Sequence, residues 1–542
     1  MNRRGLGLVV LCALAVAVPA RGQQASVGTV SFANSGAAAA QEPFLIGLAQ
    51  LHNFEYPDAA QWFRKAQEAD PSFALAYWGE AMTYNHPVWM EQDIASARRA
   101  LKRLADTAEA RASKAPTARE KAYMHAVEVL YGEGDKFARD AAYAEEMANL
   151  HRAFPDDVDG TAFYALALLG TAHEGRDVPT YMRAAALLEP LFPANPQHPG
   201  IAHYLIHSYD DPAHAARGLP AARAYSKIAP SAGHAQHMCS HIFIAMGMWD
   251  DMVSANETAL GLVNSVRAAR SLGPTACGHY PEWLEYGYLE QGRHADAKKQ
   301  LAACFDAAKA ASGRMEAGGS QVRPTDNILL FSYAGMLIRY LLDTEDWSGD
   351  IVGWTLPSHG NHRLDVAFAM TEGYAAIKSG RRPEAQHQLE LLKQGRAALD
   401  ADAAKAAPGE ADMLNHARGW AAISDMELSA LVAMAAGETT APIAQLRQAA
   451  TIEDQLPYEF GPPFIDKPTY ELLGEALLAA NQPADARAAF EKALERTPGR
   501  TTALVGLMHA AEKSGDAKKA AAVKAQLRDI WHHADRLPTD VR

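Results

Sequence analysis

The strongest constraint on this chain is a recurrence of small and aromatic residues at a fixed interval. Residues 470–498 carry Tyr470, Leu473, Gly474, Leu477, Ala486, Phe490, Ala493 and Pro498 in order. Near the start, Ala59, Phe63, Ala66 and Pro71 reproduce the second half of that string, and Tyr77, Ala81 and Tyr84 begin it again. Gly292 with Ala297, and Gly380 with Ala385, mark two further copies. The apolar positions follow a helical period with one buried face. Pro, Gly, Asp and Asn interrupt it roughly every 15 to 20 residues, the length of one helix and its turn. A hairpin of two such helices cannot bury its apolar face alone, so the copies must stack.

The string resembles the tetratricopeptide repeat family. That repeat has about 34 residues: an aromatic, Leu-Gly and Tyr in the first helix, then Ala, Phe four later and a closing Pro in the second. The resemblance is specific at both ends, degenerate in the middle, and covers most of residues 42–530. It implies an all-α fold, a right-handed superhelical solenoid of helical hairpins. Its concave groove, lined by the first helix of each repeat, would take a peptide, protein or small-molecule ligand. Composition agrees: hydrophobic residues make up 49% of the chain, alanine is abundant, and period-two β-branched runs are nearly absent.

The N-terminus reads as an export signal. Asn2, Arg3 and Arg4 precede an apolar stretch at 6–18, and small residues at Ala20 and Gly22 suit a signal peptidase. Cleavage is expected after Gly22, giving a periplasmic or secreted protein; Arg3-Arg4 is a weak match to a twin-arginine signal. No later segment is long and apolar enough to span a membrane. Residues 23–41 read as a flexible leader. The rest divides into an N-terminal array at 42–320, degenerate helical repeats at 321–456 and C-terminal repeats at 457–542.

Removing residues 1–22 takes away three arginines and leaves 48 basic against 64 acidic residues, a net charge of −16 with histidine neutral. Such acidity argues against nucleic acid and anionic membranes as partners. Cys239, Cys277 and Cys304 remain, enough for one disulfide with one thiol over.

The chemistry concentrates in residues 198–241, which hold seven of the 21 histidines: His198, His203, His207, His214, His234, His237 and His241. His203 and His207 are four apart and share one helix face, as do His237 and His241. The two pairs are offset by 34 residues, one repeat, and Pro196 and Pro230 share that offset. Each pair therefore takes the fifth and ninth positions of a first helix, and His234 takes the second; by the resemblance, all three positions face the groove. Pro199 and Ser231 are expected to start the two helices, as a first-position proline and an N-cap. A register set by Gly292 places His279, Glu282 and Tyr286 at the same three positions of the next repeat. First helices pack about 8–10 Å apart, close enough for these imidazoles to converge.

His203, His207, His237 and His241 are therefore expected to ligate one transition metal ion (Zn, Cu or Fe), since imidazole suits all three. His234, Asp211 and Glu282 are expected to serve as further ligands or as orienting and acid–base groups. Asp210 and Asp211 would orient a ligand or cap the next helix. The function implied is a metal-binding groove with hydrolytic or oxidative chemistry on a small or peptide-like substrate. The competing reading is a scaffold that binds partner peptides without catalysis, its histidines giving hydrogen bonds or pH sensitivity.

Other features read as structural. The proline-rich stretch 456–463 is a rigid connector at the groove mouth. His359, His362 and His387 lack paired spacing. His86, near Trp89, ends a packed turn. No phosphate-binding glycine loop, Cys-x2-Cys-His haem site or Gly-x-Ser-x-Gly elbow occurs.

Overall fold

A computed structural model describes residues 26–541 apart from 407, and the side chains of all of these except 320 and 408–413. The expected signal segment and the first residues of the leader lie outside the described residues. Within them are 24 α-helices and, as the only strands, the two-residue pair Asn85–His86 and Glu91–Gln92. Nearly every helix packs against the next in sequence, and several first helices of adjacent hairpins also pack together. The result is an all-α, right-handed solenoid of tetratricopeptide-like hairpins.

The recurrent residues work as wedges. Phe490 is buried between the helices Thr469–Ala479 and Thr501–Lys513. A Cβ at Gly474 would meet its ring at 2.7 Å, and one at Gly506 at 2.2 Å. At the other end Phe63 stands in the same way against Gly47 and Gly79. Only glycine lets the helices close on the ring, so Leu473-Gly474 and Phe490 are two halves of one packing unit. Truncating such a ring would cost about 3–5 kcal/mol.

The described part of the expected leader is not loose. Residues 28–37 form neither helix nor strand, and with the bend at Val27 this segment buries Val27, Val30 and Phe32. Thr29 donates its N–H to the Gln197 carbonyl, and Asn53 Nδ2 donates to that of Val27. Gly28, at φ +93, allows the chain to pass within contact of Pro199. The small, polar composition of 23–41 conceals these alternating apolar anchors.

Three first helices build the site: Pro199–Ser208, Gly233–Ala245 and His279–Glu290. Proline does open the first, with His198 as its N-cap. Ser231 does not cap the second. Ala232 stands there without a side-chain bond, and Glu55 accepts from the His234 N–H instead. The helix between the second and third, Trp249–Ala269, has 21 residues, so the third first-helix arrives later than the 34-residue period.

The C-terminal hairpins return onto this region. Trp531 Nε1 donates to the Glu290 carbonyl at 2.9 Å, and Trp249 Nε1 to that of Gly499 at 3.0 Å. Arg500, fully buried, pairs with Glu290 at 2.9 Å, Asp343 at 2.7 Å and Glu471 at 2.7 Å. One guanidinium thus ties four helices together.

Candidate metal centre

The histidine pairs face inward, and His203, His207, His234, His237 and His241 are all at most 5% exposed. They do not form one cluster. His203 Nε2 lies 3.1 Å from His207 Nε2 and 3.2 Å from His234 Nε2. His237 Nε2 lies 3.1 Å from His241 Nε2 and 2.7 Å from His279 Nε2. The four histidines expected around one ion are therefore divided between two triads. Each triad takes the fifth and ninth positions of one repeat and the second position of the next.

The partners of the other ring nitrogens set the tautomers of His203, His237 and His241. His203 Nδ1 is 2.7 Å from the His52 carbonyl, an acceptor only, so Nδ1 carries the proton and Nε2 presents a lone pair. His237 Nδ1 is 2.6 Å from Asn256 Oδ1, and Asn256 Nδ2 donates to the Met252 carbonyl, which sets the amide orientation. His241 Nδ1 is 2.5 Å from Asp210 Oδ2. With both rings neutral, His237 and His241 aim two lone pairs at each other across 3.1 Å, an arrangement that repels unless a metal ion lies against both or a proton sits between them. Asp210 and Asn256 are the acceptors that orient imidazole ligands in metal sites.

Burial works against a proton on five of the six imidazoles. Burial drives His207, His234 and His237 well below the ordinary imidazole range, and neighbouring imidazoles push in the same direction. Burial lowers His203 and His279 to about 3. A metal ion suits the donors better. Tetrahedral coordination at about 2.0–2.1 Å holds nitrogens about 3.3 Å apart, close to three of the separations here, whereas His237 and His279, at 2.7 Å, would move apart to take an ion; three histidines leave a fourth position open.

The shells differ. Phe54 covers the first triad, with ring centroids 4.3 Å from His203 and 5.5 Å from His234. Phe54 holds φ +58, a left-handed backbone unusual for a bulky residue. Trp283 packs on the second triad, 4.4 Å from His241 and 4.8 Å from His237, and Phe460 reaches His241 at 5.1 Å. The proline-rich connector therefore folds over the second triad. His279 and Glu282 line a cavity of about 280 Å³ beside it.

Asp211 does not reach either triad: it pairs with Arg176 at 2.6 Å and His214 at 2.8 Å. Its neighbour Asp210 does the orienting, because consecutive side chains at the end of a helix point in different directions. Glu282 faces the cavity rather than the three Nε2 atoms; burial raises its carboxyl, opposed by Ser332 and the charge of Arg339. Cys277 and Cys304 form the disulfide and Cys239 is the buried free thiol. Cys277 stands two residues before His279.

Sequence reasoning missed His52, Asp159 and Asn256. His52 Nδ1 meets Tyr204 Oη at 2.9 Å, its Nε2 meets Asp159 Oδ1 at 2.9 Å, and His198 Nε2 meets the same oxygen at 3.2 Å. Burial lowers His52 to about 4 against the Asp159 hydrogen bond. Both His52 nitrogens are already committed, so this group supports the His203 helix rather than offering an ion site. No spacing links His52 to a partner 151 residues away.

The fold and site define a helical-repeat solenoid with buried histidine clusters in its interior. No protein-family model matches the chain, and no curated protein matches its sequence. Solved structures similar to it include a human IFIT1 dimer with m7Gppp-AAAA, at 12% identity and a TM-score of 0.35 over 93% of this chain and 91% of that one. Naa15/Naa10 bound to HypK-THB matches at 12% identity and 0.24, over 93% and 90%. A human IFIT1 dimer with PPP-AAAA matches at 11% and 0.32, over 91% of each chain. At such identities and scores, nothing about a ligand carries over from them.

Proposed function

We propose that this protein holds two transition metal ions, one in each histidine triad, and that the second serves chemistry on a small or peptide-like substrate. The carrying observation is the facing pair of lone pairs on His237 and His241, fixed by Asn256 and Asp210. The first triad, under Phe54, suits a structural ion. The second adjoins the cavity, which suits a reactive one. An ion with three histidine ligands and an open position supplies Lewis acidity. Glu282, at the cavity wall, is placed to exchange a proton with a bound molecule. We also propose that the chain is exported. The support is the signal-like N-terminus and the Cys277–Cys304 disulfide, which suits an oxidising compartment; no helix among the described residues is long and apolar enough to cross a membrane.

Elemental analysis of purified, dialysed protein tests the metal reading. About two equivalents of one transition metal are expected. Less than about a tenth of an equivalent, with no uptake at micromolar metal, would overturn it.

A further inference from the structure

The cavity beside the second triad is lined by charges of both signs that are not matched to one another. Arg339 is 6% exposed, yet its Nε and Nη1 have no hydrogen-bond partner. The nearest carboxylates stand off, Asp466 at 3.6 Å and Glu285 at 3.9 Å. Glu285, behind the cavity wall, is fully buried with no hydrogen-bond partner at either oxygen, and burial pushes its carboxyl well above the ordinary range. Arg363, whose guanidinium lies 3.9 Å over the Phe331 ring, has an unpartnered Nε. Buried ionic groups held this close without direct bonds are costly, and native proteins keep them where something else completes them. Glu459, which stands 3.6 Å from His416, also lines the cavity, and much of the remaining wall is aromatic, with Trp283, Phe331, Trp420 and Phe460. At about 280 Å³ the cavity lies near the small end of small-molecule sites.

A purely anionic guest would leave Glu282 and Asp466 facing its charge, and a purely cationic one would face Arg339 and Arg363. We propose that the cavity binds a small zwitterion with an apolar side chain, a free amino acid. Its carboxylate lies on Arg339 and Arg363, its ammonium on Glu282 and Asp466, and its side chain among the aromatic rings. His279 lines the same cavity, so the guest sits against the second triad; only that placement rests on the metal reading.

Calorimetric titration of the full chain with L-tryptophan and L-leucine tests this. At least one is expected to bind with Kd below about 1 mM. Analogues of the binder that lack the ammonium (indole-3-propionate or 4-methylpentanoate) or the carboxylate (tryptamine or isoamylamine) are expected to bind at least about tenfold more weakly. Arg339→Met is expected to weaken binding by a similar factor while metal content stays unchanged; Arg363→Met, at a half-buried position, reads the same effect if the first variant does not fold. Absence of binding by both amino acids at about 5 mM, or equal binding by either single-charge analogue, overturns the proposal. Amino-acid binding by a protein that takes up no metal would sink the metal reading alone.

Discussion

The Nε2 atom of His237 stands 2.7 Å from that of His279, a residue 42 positions further along the chain. This contact joins two hairpins, and it is the counterpart of the 3.2 Å contact between His203 and His234 one hairpin earlier. The second triad is the first one carried forward by a repeat. The two are separate ligand sets.

Separate sets should empty separately. His203→Ala and His237→Ala are each expected to lower bound metal from about two equivalents to about one, and the double variant to none. Elemental analysis of the three proteins reads this. Loss of both ions from either single variant would show a shared site.

Asp210 touches only the second triad, through His241. Asp210→Asn is expected to weaken the second ion about 10- to 100-fold in chelator competition and to leave the first unchanged. Equal weakening of both ions would assign Asp210 a general structural role.

Cys277 and Cys304 are 27 residues apart and anchor the loop that delivers His279. Opening a loop of that length removes about 3.5 kcal/mol on the chain-entropy account. Reductant is therefore expected to lower the thermal midpoint and to loosen the second ion before the first. Unchanged affinity of the second ion after reduction would mean that helix packing alone places His279.

Arg500 is buried among Glu290, Asp343 and Glu471, so its removal takes the shared guanidinium from three carboxylates, of which Glu471 keeps Lys467 and Glu290 keeps Thr501. Arg500→Met is expected to cost about 3–5 kcal/mol in urea unfolding. A cost under about 1 kcal/mol would show that the returning C-terminal hairpins are held by apolar contact and the Trp249 and Trp531 hydrogen bonds without help from the ion pairs.

Neutral imidazole is the ligand, so protons compete with metal only near each histidine's own titration. Burial lowers His203 and His279 to about 3, whereas exposed imidazole titrates near 6.5. Both ions should therefore be retained as pH falls through 6.5 and be released only below about pH 5. Dialysis across that range with metal readout tests it; half-release above about pH 6 would contradict the burial argument.

Much of this was legible locally. Phe63, Phe490 and their flanking small residues mark hairpins because helical period and wedge size are properties of a short stretch. The paired spacing of His203 with His207 and of His237 with His241, and their 34-residue offset, follow from the same periodicity. Asp210 and Asp211 are not separated this way, because spacing alone does not tell which of two adjacent side chains turns inward at the end of a helix.

The sequence by itself determined an all-α repeat and two matched histidine pairs on equivalent helix faces, because these depend on residues a turn or a repeat apart. Only the tertiary structure decided that His234 completes the first pair and His279 the second. That outcome depends on how successive hairpins are rotated and on the 21-residue length of Trp249–Ala269. It also decided that His52, Asn256 and the 456–463 connector close around the site. Their contacts come from the superhelix and the returning chain, and no local period records them.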